Sequence, residues 1–596
     1  MYPLPIELQN SYRESSRYPE NLIPSGIATY NSRLSAYKKR LDDAEVDLCL
    51  VPSEDEVDET FEIPMIDLQT GDGKVRDKRY IHTPAKLTDW LGVTTVQNTN
   101  DPNARSLSTR KKDPKCRFIY LYAENSRDKL KTTRQSLCEI MSYHQVMPVY
   151  LDFMLVFGGQ SDARDLRFSG FHQQIRLRNP VNGHAAPELG RSGRQFQLCY
   201  NLKGVQFKKP SEEHIKLDEW SIRDAAIYHQ FDVEYGTTLW IVTKGGRDIL
   251  DRYLDMVGPT GRPEDKGFQD AIACFRSTLV THLLYCHWST EDWRWYIVWL
   301  ETVVEKESAM AVNGLHGAGY AHKEYEPWDI QDLQHWQEET NTAVMALEAN
   351  SKNTRSLYSF YENLTARKDF PDTLRTASED YLHAFFSQLH EILGDFDTQI
   401  TRAKLLASII SDRKELVLQH LQSQASERTE QLNKNLEREA VVMRIITIVT
   451  LTYLPATFVS TLFSTDIIKY QDQNQSSADY ENGSFSQLAM NRWLQVTIPL
   501  TFLTLFGAWS TFRFCDTTAG PLTISERMKR IIPGLNSSAT PPNTDESTQH
   551  YSDVDTRREA IKNWVHYVMK LVKNMRWLRS DRTTLPFQEN VATKIG

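Results

Sequence analysis

The 596-residue chain holds 69 Lys and Arg against 78 Asp and Glu, a net charge of −9, with 40% hydrophobic and 25% charged residues. That balance describes an ordinary soluble body carrying a small apolar part and long enough for several domains; without a dominant basic stripe it argues against nucleic acid as a partner, and acidic substrates are equally unsupported. The seven cysteines stand singly with no CxxC pair, as expected of reduced, mostly buried thiols facing the cytosol.

Residues 1–115 form a variable N-terminal region. It opens without the apolar stretch of a signal peptide, and Glu7 and Glu14 do not suit a transit peptide, so the membrane address is expected further along. An acidic cluster, Glu54-Asp55-Glu56 with Asp58-Glu59, sits in a stretch of weak periodicity that reads as a lead-in. Residues 116–250 read as an α/β domain. The run 117–124, RFIYLYAE, suits a buried strand, and 131–145 carries helical spacing through Leu137, Ile140 and Met141. Further strands are predicted over 166–175, 194–205, 225–233 and 237–243, with Glu234-Tyr235-Gly236 turning the last pair as a hairpin. The expected sheet is largely antiparallel.

Residues 251–373 read as helical, with Trp288, Trp293, Trp295 and Trp299 pointing to helix packing rather than an aromatic ligand cage. The Gly-rich stretch 314–322 lacks both a preceding strand and the Lys-Ser/Thr ending of a phosphate loop, and reads as a loop. Residues 374–444 contain no proline and run directly into the next apolar segment, which predicts one stalk helix of about 90 residues, on the order of 135 Å long. Its stripe, Leu406, Ile410, Val417, Leu421, Ala425, Leu432, Leu436, Ala440 and Met443, recurs at eleven-residue intervals. That period keeps a stripe nearly straight or slightly right-handed. It must pack on other helices, either copies of itself or, for its upper half, the helices of 267–365.

Two uncharged runs follow, assigned as transmembrane helices over 445–465 and 493–512 because each has the length needed to cross a hydrocarbon core. Lys434, Arg438 and Arg444 precede the first, while Arg513, Arg527, Lys529 and Arg530 follow the second, so both termini are expected to be cytoplasmic. The outer loop, 466–492, holds Lys469 and Arg492 against Asp466, Asp472, Asp479 and Glu481, with glycosylation sequons at Asn474 and Asn482. The tail, 513–596, carries a basic amphipathic helix over 555–579. Its apolar face, from Ile561 and Trp564 to Leu578, either lies on anionic inner-leaflet lipids or docks on the cytoplasmic body.

Near the end of the first span the chain reads Pro455-Ala-Thr457-Phe458, then Phe463-Ser464-Thr465-Asp466. Together with the large α/β domain, the long helix and the two C-terminal spans, this resembles the CorA family of divalent-cation channels. In that family a Pro-x-Thr-Phe motif is followed closely by an aromatic residue and Gly-Met-Asn. Proline, threonine, Phe458 and Phe463 agree in kind and spacing; Ser464, Thr465 and Asp466 replace Gly-Met-Asn. Segments 143–148 and 413–421 look most like the divergent fungal branch of the family, and the resemblance extends over 115–515.

The resemblance implies a homopentamer in a lipid bilayer, a pore lined by the first span, and magnesium or another divalent cation as the transported or regulatory ion, with no tightly bound cofactor. It places Ser464, Thr465 and Asp466 at the ion filter, with Asp466 as the metal contact. Steps of 9, 12, 20 and 23 residues back from Asp466 reach Thr457, Leu454, Ile446 and Met443, one polar and three apolar rings that suit a dewettable gate beneath a polar mouth. A ring of carboxylates attracts a divalent ion more strongly than an amide ring does, which is compatible with slower flux, altered selectivity or a non-conducting relative. The other reading keeps the architecture as a membrane-anchored scaffold or sensor. Enzymatic function has little to stand on: no HExxH, GxSxG or P-loop is present, and His282 with Cys286, though at ligand spacing, has no second Cys/His pair nearby and reads as buried core.

Overall fold

The computed structural model describes residues 1–24, 31–51, 61–71, 73–98, 101–125, 127–159, 167–178, 180, 183–207, 220–313, 325–464 and 487–515. It divides into two compact units, 1–434 and 435–596. The acidic cluster at 54–59, the Gly-rich stretch, Thr465, Asp466, both sequons and the basic helix at 555–579 lie outside the described residues.

The first unit is built on a seven-stranded sheet of β3 (Ile63–Leu68), β4 (Arg76–Ile81), β7 (Cys116–Ala123), β9 (Phe171–Arg176), β10 (Gln195–Phe207), β11 (Trp220–Asp232) and β12 (Thr238–Gly245). Their order is β4-β3-β7-β12-β11-β10-β9. Only β7 and β12 pair in parallel; the other neighbours are antiparallel. The central strands are apolar on both faces because both are covered. On β7, Phe118, Tyr120 and Tyr122 enter one core, while Ile119, Leu121 and Ala123 enter the other.

The first core is closed by α6 (Asp248–Met256), α7 (Ala271–Thr290), α8 (Trp293–Asn313), α9 (Pro327–Ala366), α10 (Asp372–Ala377) and the beginning of α11 (Glu379–Ser464). The second is closed by α1 (Ile6–Arg13), α2 (Asn31–Leu48), α3 (Pro84–Leu91), α4 (Arg134–His144) and α5 (Tyr150–Met154). Smaller sheets join β1 (Tyr2–Pro3), β5 (Val93–Asn98) and β6 (Asp101–Thr109), and separately β2 (Cys49–Leu50) with β8 (Leu130–Thr133).

The sheet therefore reaches back well before residue 116: β3 and β4 belong to it, and α1 to α3 wall its second core. The expected strand over 166–175 is observed as Phe171–Arg176. The hairpin after β11 is held by the Asp232 carboxylate, which accepts from the backbone N–H groups of Glu234 (3.0 Å) and Tyr235 (2.9 Å). Gly236 completes it at φ +69°, where a Cβ would stand 2.4 Å from the Ala271 Cα. Trp293 is fully buried and Trp288 nearly so, whereas Trp295 is 55% exposed. The tryptophans pack helices.

The predicted stalk is interrupted once, where α10 ends at Ala377; α11 then runs 86 residues without a break. Its stripe has two fates. Leu406 and Ile410 enter the large core, Val417 joins a small cluster with Ala311, Tyr325 and Leu333, and Leu421 packs against that cluster. Leu432, Leu436 and Met443 are 60–66% exposed.

The second unit holds the end of α11 and α12 (Gln487–Cys515). Among the described residues α11 alone is long and apolar enough to cross a membrane. The expectation of two such helices is thus met by one. In α12 the uncharged run beginning at Trp493 is diluted by Gln495, Pro499, Gly507 and several hydroxyl residues.

Candidate functional site

At about 100° per residue, Met443, Ile446, Leu454 and Thr457 fall on one face of α11, and Thr450 and Thr461 fall there with them. All six are exposed. Pro455 and Val459 lie on the far side and are buried. The neighbouring Ser460 Oγ accepts from the Trp493 indole of α12 at 3.1 Å. Of the motif residues, Phe458 is 60% exposed and Phe463 is half-buried.

The face changes character along its length. Its lower part, through Met443 and Ile446, is apolar. Its upper part carries hydroxyls whose protons are spent on the helix: Thr450 donates to Ile446 O (2.7 Å), Thr457 to Leu454 O (3.0 Å), Thr461 to Phe458 O (2.8 Å) and Ser464 to Thr461 O (3.0 Å). With the proton committed, each oxygen keeps acceptor capacity of the kind a hydrated cation uses. Pro455 also has no N–H to offer the Leu451 carbonyl one turn below. No charged residue occurs between Arg444 and the helix end. Stepping back from Asp466 passes over Thr450 and Thr461, although the same 3.6-residue period reaches them. Trp493 and Ser460 carry no local signal of their pairing.

In the first unit, His282 and Cys286 are core residues. His282 Nδ1 lies 2.7 Å from the Tyr200 hydroxyl, and its ring centroid is 5.0 Å from that of His229, which stacks on Trp240 at 4.0 Å. Burial lowers the His282 pKa to about 3 and raises the Cys286 thiol to about 12. Among the described residues no group of three or more His, Cys, Asp or Glu is arranged to hold a metal ion. Two buried ion pairs form a structural chain, joined by Arg117 and Asp113 at 3.8 Å. Arg117 makes a bidentate pair with Asp67 across the β3–β7 register (2.9 and 2.8 Å), and Arg191 pairs with Asp113 at 2.6 Å. Burial alone would depress the Arg117 pKa, but the Asp67 carboxylate outweighs it and holds the guanidinium charged.

No curated protein matches the chain. Among solved structures, the full-length CmaX protein is similar at 12% identity, over 71% of this chain and 97% of that one, with a TM-score of 0.26. The ZntB cytoplasmic domain from Vibrio parahaemolyticus RIMD 2210633 is similar at 9% identity, over 60% and 98% of the two chains, with a TM-score of 0.28. Both scores are low, and the assignment rests on family. Residues 10–312, more than half of the chain, match the CorA-like transporters. As transporters these proteins are not catalysts, and with an α/β domain, a long helical stalk and a membrane-length apolar helix in place, the chain belongs to the CorA-like transporter family.

Proposed function

We propose that the chain is the subunit of a homo-oligomeric channel, a pentamer by family resemblance, that passes magnesium or a similar hydrated divalent cation. The observation that carries this reading is the exposed face of α11 from Met443 to Thr461, apolar toward Met443 and hydroxyl-bearing toward Thr461. Packed around an axis, copies of that face would form a dewettable constriction beneath a ring of oxygen acceptors. Spans over 445–465 and 493–512, with both termini cytoplasmic, would put Ser464-Thr465-Asp466 at the outer mouth. Asp466 would then concentrate divalent ions by charge and slow their release. Anionic inner-leaflet lipids are the proposed partner of the basic tail helix at 555–579.

Flux of magnesium into liposomes, measured for the native chain, Asp466→Asn and Asp466→Ala, tests the proposal alongside the oligomer mass in detergent. Metal-dependent flux that weakens when the carboxylate is removed is the expected result. A monomer, or no flux from any of the three, would leave the second reading, a membrane-anchored scaffold or sensor. That reading draws on the replacement of Gly-Met-Asn by Ser464-Thr465-Asp466.

A further inference from the structure

Among the described residues β4 is an edge of the seven-stranded sheet, paired with β3 on one side only. An edge strand presents a row of N–H and C=O groups to any strand that can lie beside it. The side chains of β4 decide which strands can. Its register with β3 sets Arg76 opposite Leu68 and Lys78 opposite Ile66, on the face of the first core, and Arg79 opposite Met65, on the face of the second. Cations therefore flank the edge on both faces. Asp77 is the one acidic residue of the strand, and its carboxylate lies 3.4 Å from both Lys74 Nζ and Arg79 Nε.

Arg79 and Lys111 also lie over the Trp90 ring, at 5.2 and 5.3 Å, which continues the positive surface onto the loop before β7. Beside the start of the strand opens a groove of about 380 Å³, lined by Val75, Arg76, Pro259, Pro263, Lys266 and Phe268 among others. Val75 is 74% exposed at its rim.

We infer that β4 is a docking edge for an extended acidic polypeptide segment, which adds to the sheet as a strand and places alternate side chains in the groove beside Arg76. Main-chain pairing would provide the affinity, and the basic flanks and groove the selectivity, as in other cases of strand addition. The same charges disfavour a second copy of this edge as the occupant, because Arg76, Lys78 and Arg79 would face their own kind. An anionic bilayer or a nucleic acid satisfies the charges but has no backbone to pair with the strand.

The test uses the full chain in detergent and a fluorescein-labelled peptide alternating Glu and Val. Its control is the peptide with Pro in place of Val, equal in charge but unable to pair. Binding of the Glu-Val peptide, with slowed amide exchange over 76–81, is expected. The Pro peptide should bind at least about tenfold more weakly, as should the Glu-Val peptide to Arg76→Glu and to Lys78→Glu with Arg79→Glu, whereas Lys352→Glu, beside β9 at the opposite edge of the sheet, should bind normally. Equal binding of both peptides, no change in exchange over 76–81, or preferential capture of anionic vesicles or polyuridine would overturn the inference. The exchange measurement is made on the native chain, so it decides even if a variant fails to fold.

Discussion

The buried histidine pair makes the first unit acid-sensitive in a way that can be assigned to single residues. His229 and His282 are fully buried, and neither ring nitrogen of His229 has a hydrogen-bond partner among the described residues. Burial depresses the pKa of both, with His282 adding to the effect on His229. The consequence follows by linkage. Above pH 6.5 both histidines are neutral in the folded and unfolded chain, and they contribute no pH dependence. Below it the unfolded chain takes up protons that the folded chain refuses, so stability falls as pH drops through the window from 6.5 toward the folded value of about 3.

At pH 5 His282 has cost about 2 kcal/mol, a large share of ordinary domain stability, and His229 adds to it in the same direction. Carboxyls raised by burial, such as Glu139 and Asp232, act with the opposite sign, because the folded state holds their protons more tightly. The informative quantity is therefore a difference between variants. Urea midpoints followed by tryptophan fluorescence at pH 7.5, 6 and 5 supply it, since Trp240 touches both rings. His229→Phe keeps a flat ring against Trp240 and removes one titrating group. It should leave stability near neutral pH unchanged or improved and lower the acid slope by about 1.4 kcal/mol per pH unit. An unchanged slope would mean that His229 is not kept neutral by burial, and the reasoning would fail.

Breaking the cross-strand ion pair tests the junction of β3 with β7. Asp67→Asn leaves the buried Arg117 guanidinium with only the more distant Asp113 carboxylate at 3.8 Å and should cost about 3 kcal/mol in the urea midpoint, while replacing both residues by leucine should recover most of the loss. Asn350 ties α9 to β10 by accepting from Lys203 N at 2.8 Å and donating to Lys203 O at 2.6 Å. Asn350→Ala should destabilise the first unit by about 1–3 kcal/mol for each orphaned group, read by the same denaturation. Leu436→Glu and Met443→Glu alter residues already exposed on the single chain; light scattering should show a smaller oligomer with no shift in the first unit's urea midpoint.

What could be read from the residues depended on whether burial left a mark on them. The strands β7 and β12 lie inside the sheet between two cores and carry the apolar runs that this position demands, whereas β10 and β11, also inside, interleave buried polar residues such as Gln197, Asn201, Lys203, Asp224 and His229. β4 carries Arg76, Asp77, Lys78 and Arg79 because an edge strand needs few apolar residues, so it left no alternation to find. Its partner β3 is a short run in a stretch otherwise rich in acidic and polar residues. The Met443–Thr457 face was legible because a helix repeats every 3.6 residues whatever surrounds it. The family match covers 10–312, while the motif that resembles the family, Pro455 to Asp466, lies beyond it.

The stripe on α11 shows where reading by period stops. Leu406 and Leu436 belong to one eleven-residue pattern, yet Leu406 is 4% exposed and Leu436 60%. Nothing local distinguishes them. Leu406 is covered because α8 and α9 stand beside that part of the helix, a fact written in Trp299, Val304, Trp336 and Leu347 and not in α11 itself. Beyond Leu421 the pattern continues through Leu432, Leu436 and Met443, all of them exposed. A repeat therefore specifies that a face will be covered and leaves open by what. In this chain one pattern serves two partners, the chain's own helices around Leu406 and, in the proposed channel, neighbouring copies from Leu432 onward. Leu406→Ala and Leu436→Ala should separate them, the first lowering the urea midpoint by about 2–5 kcal/mol and the second lowering only the oligomer mass. If both substitutions lowered the midpoint alike, the lower stripe would be packed within one chain after all, and assembly through this face would be ruled out.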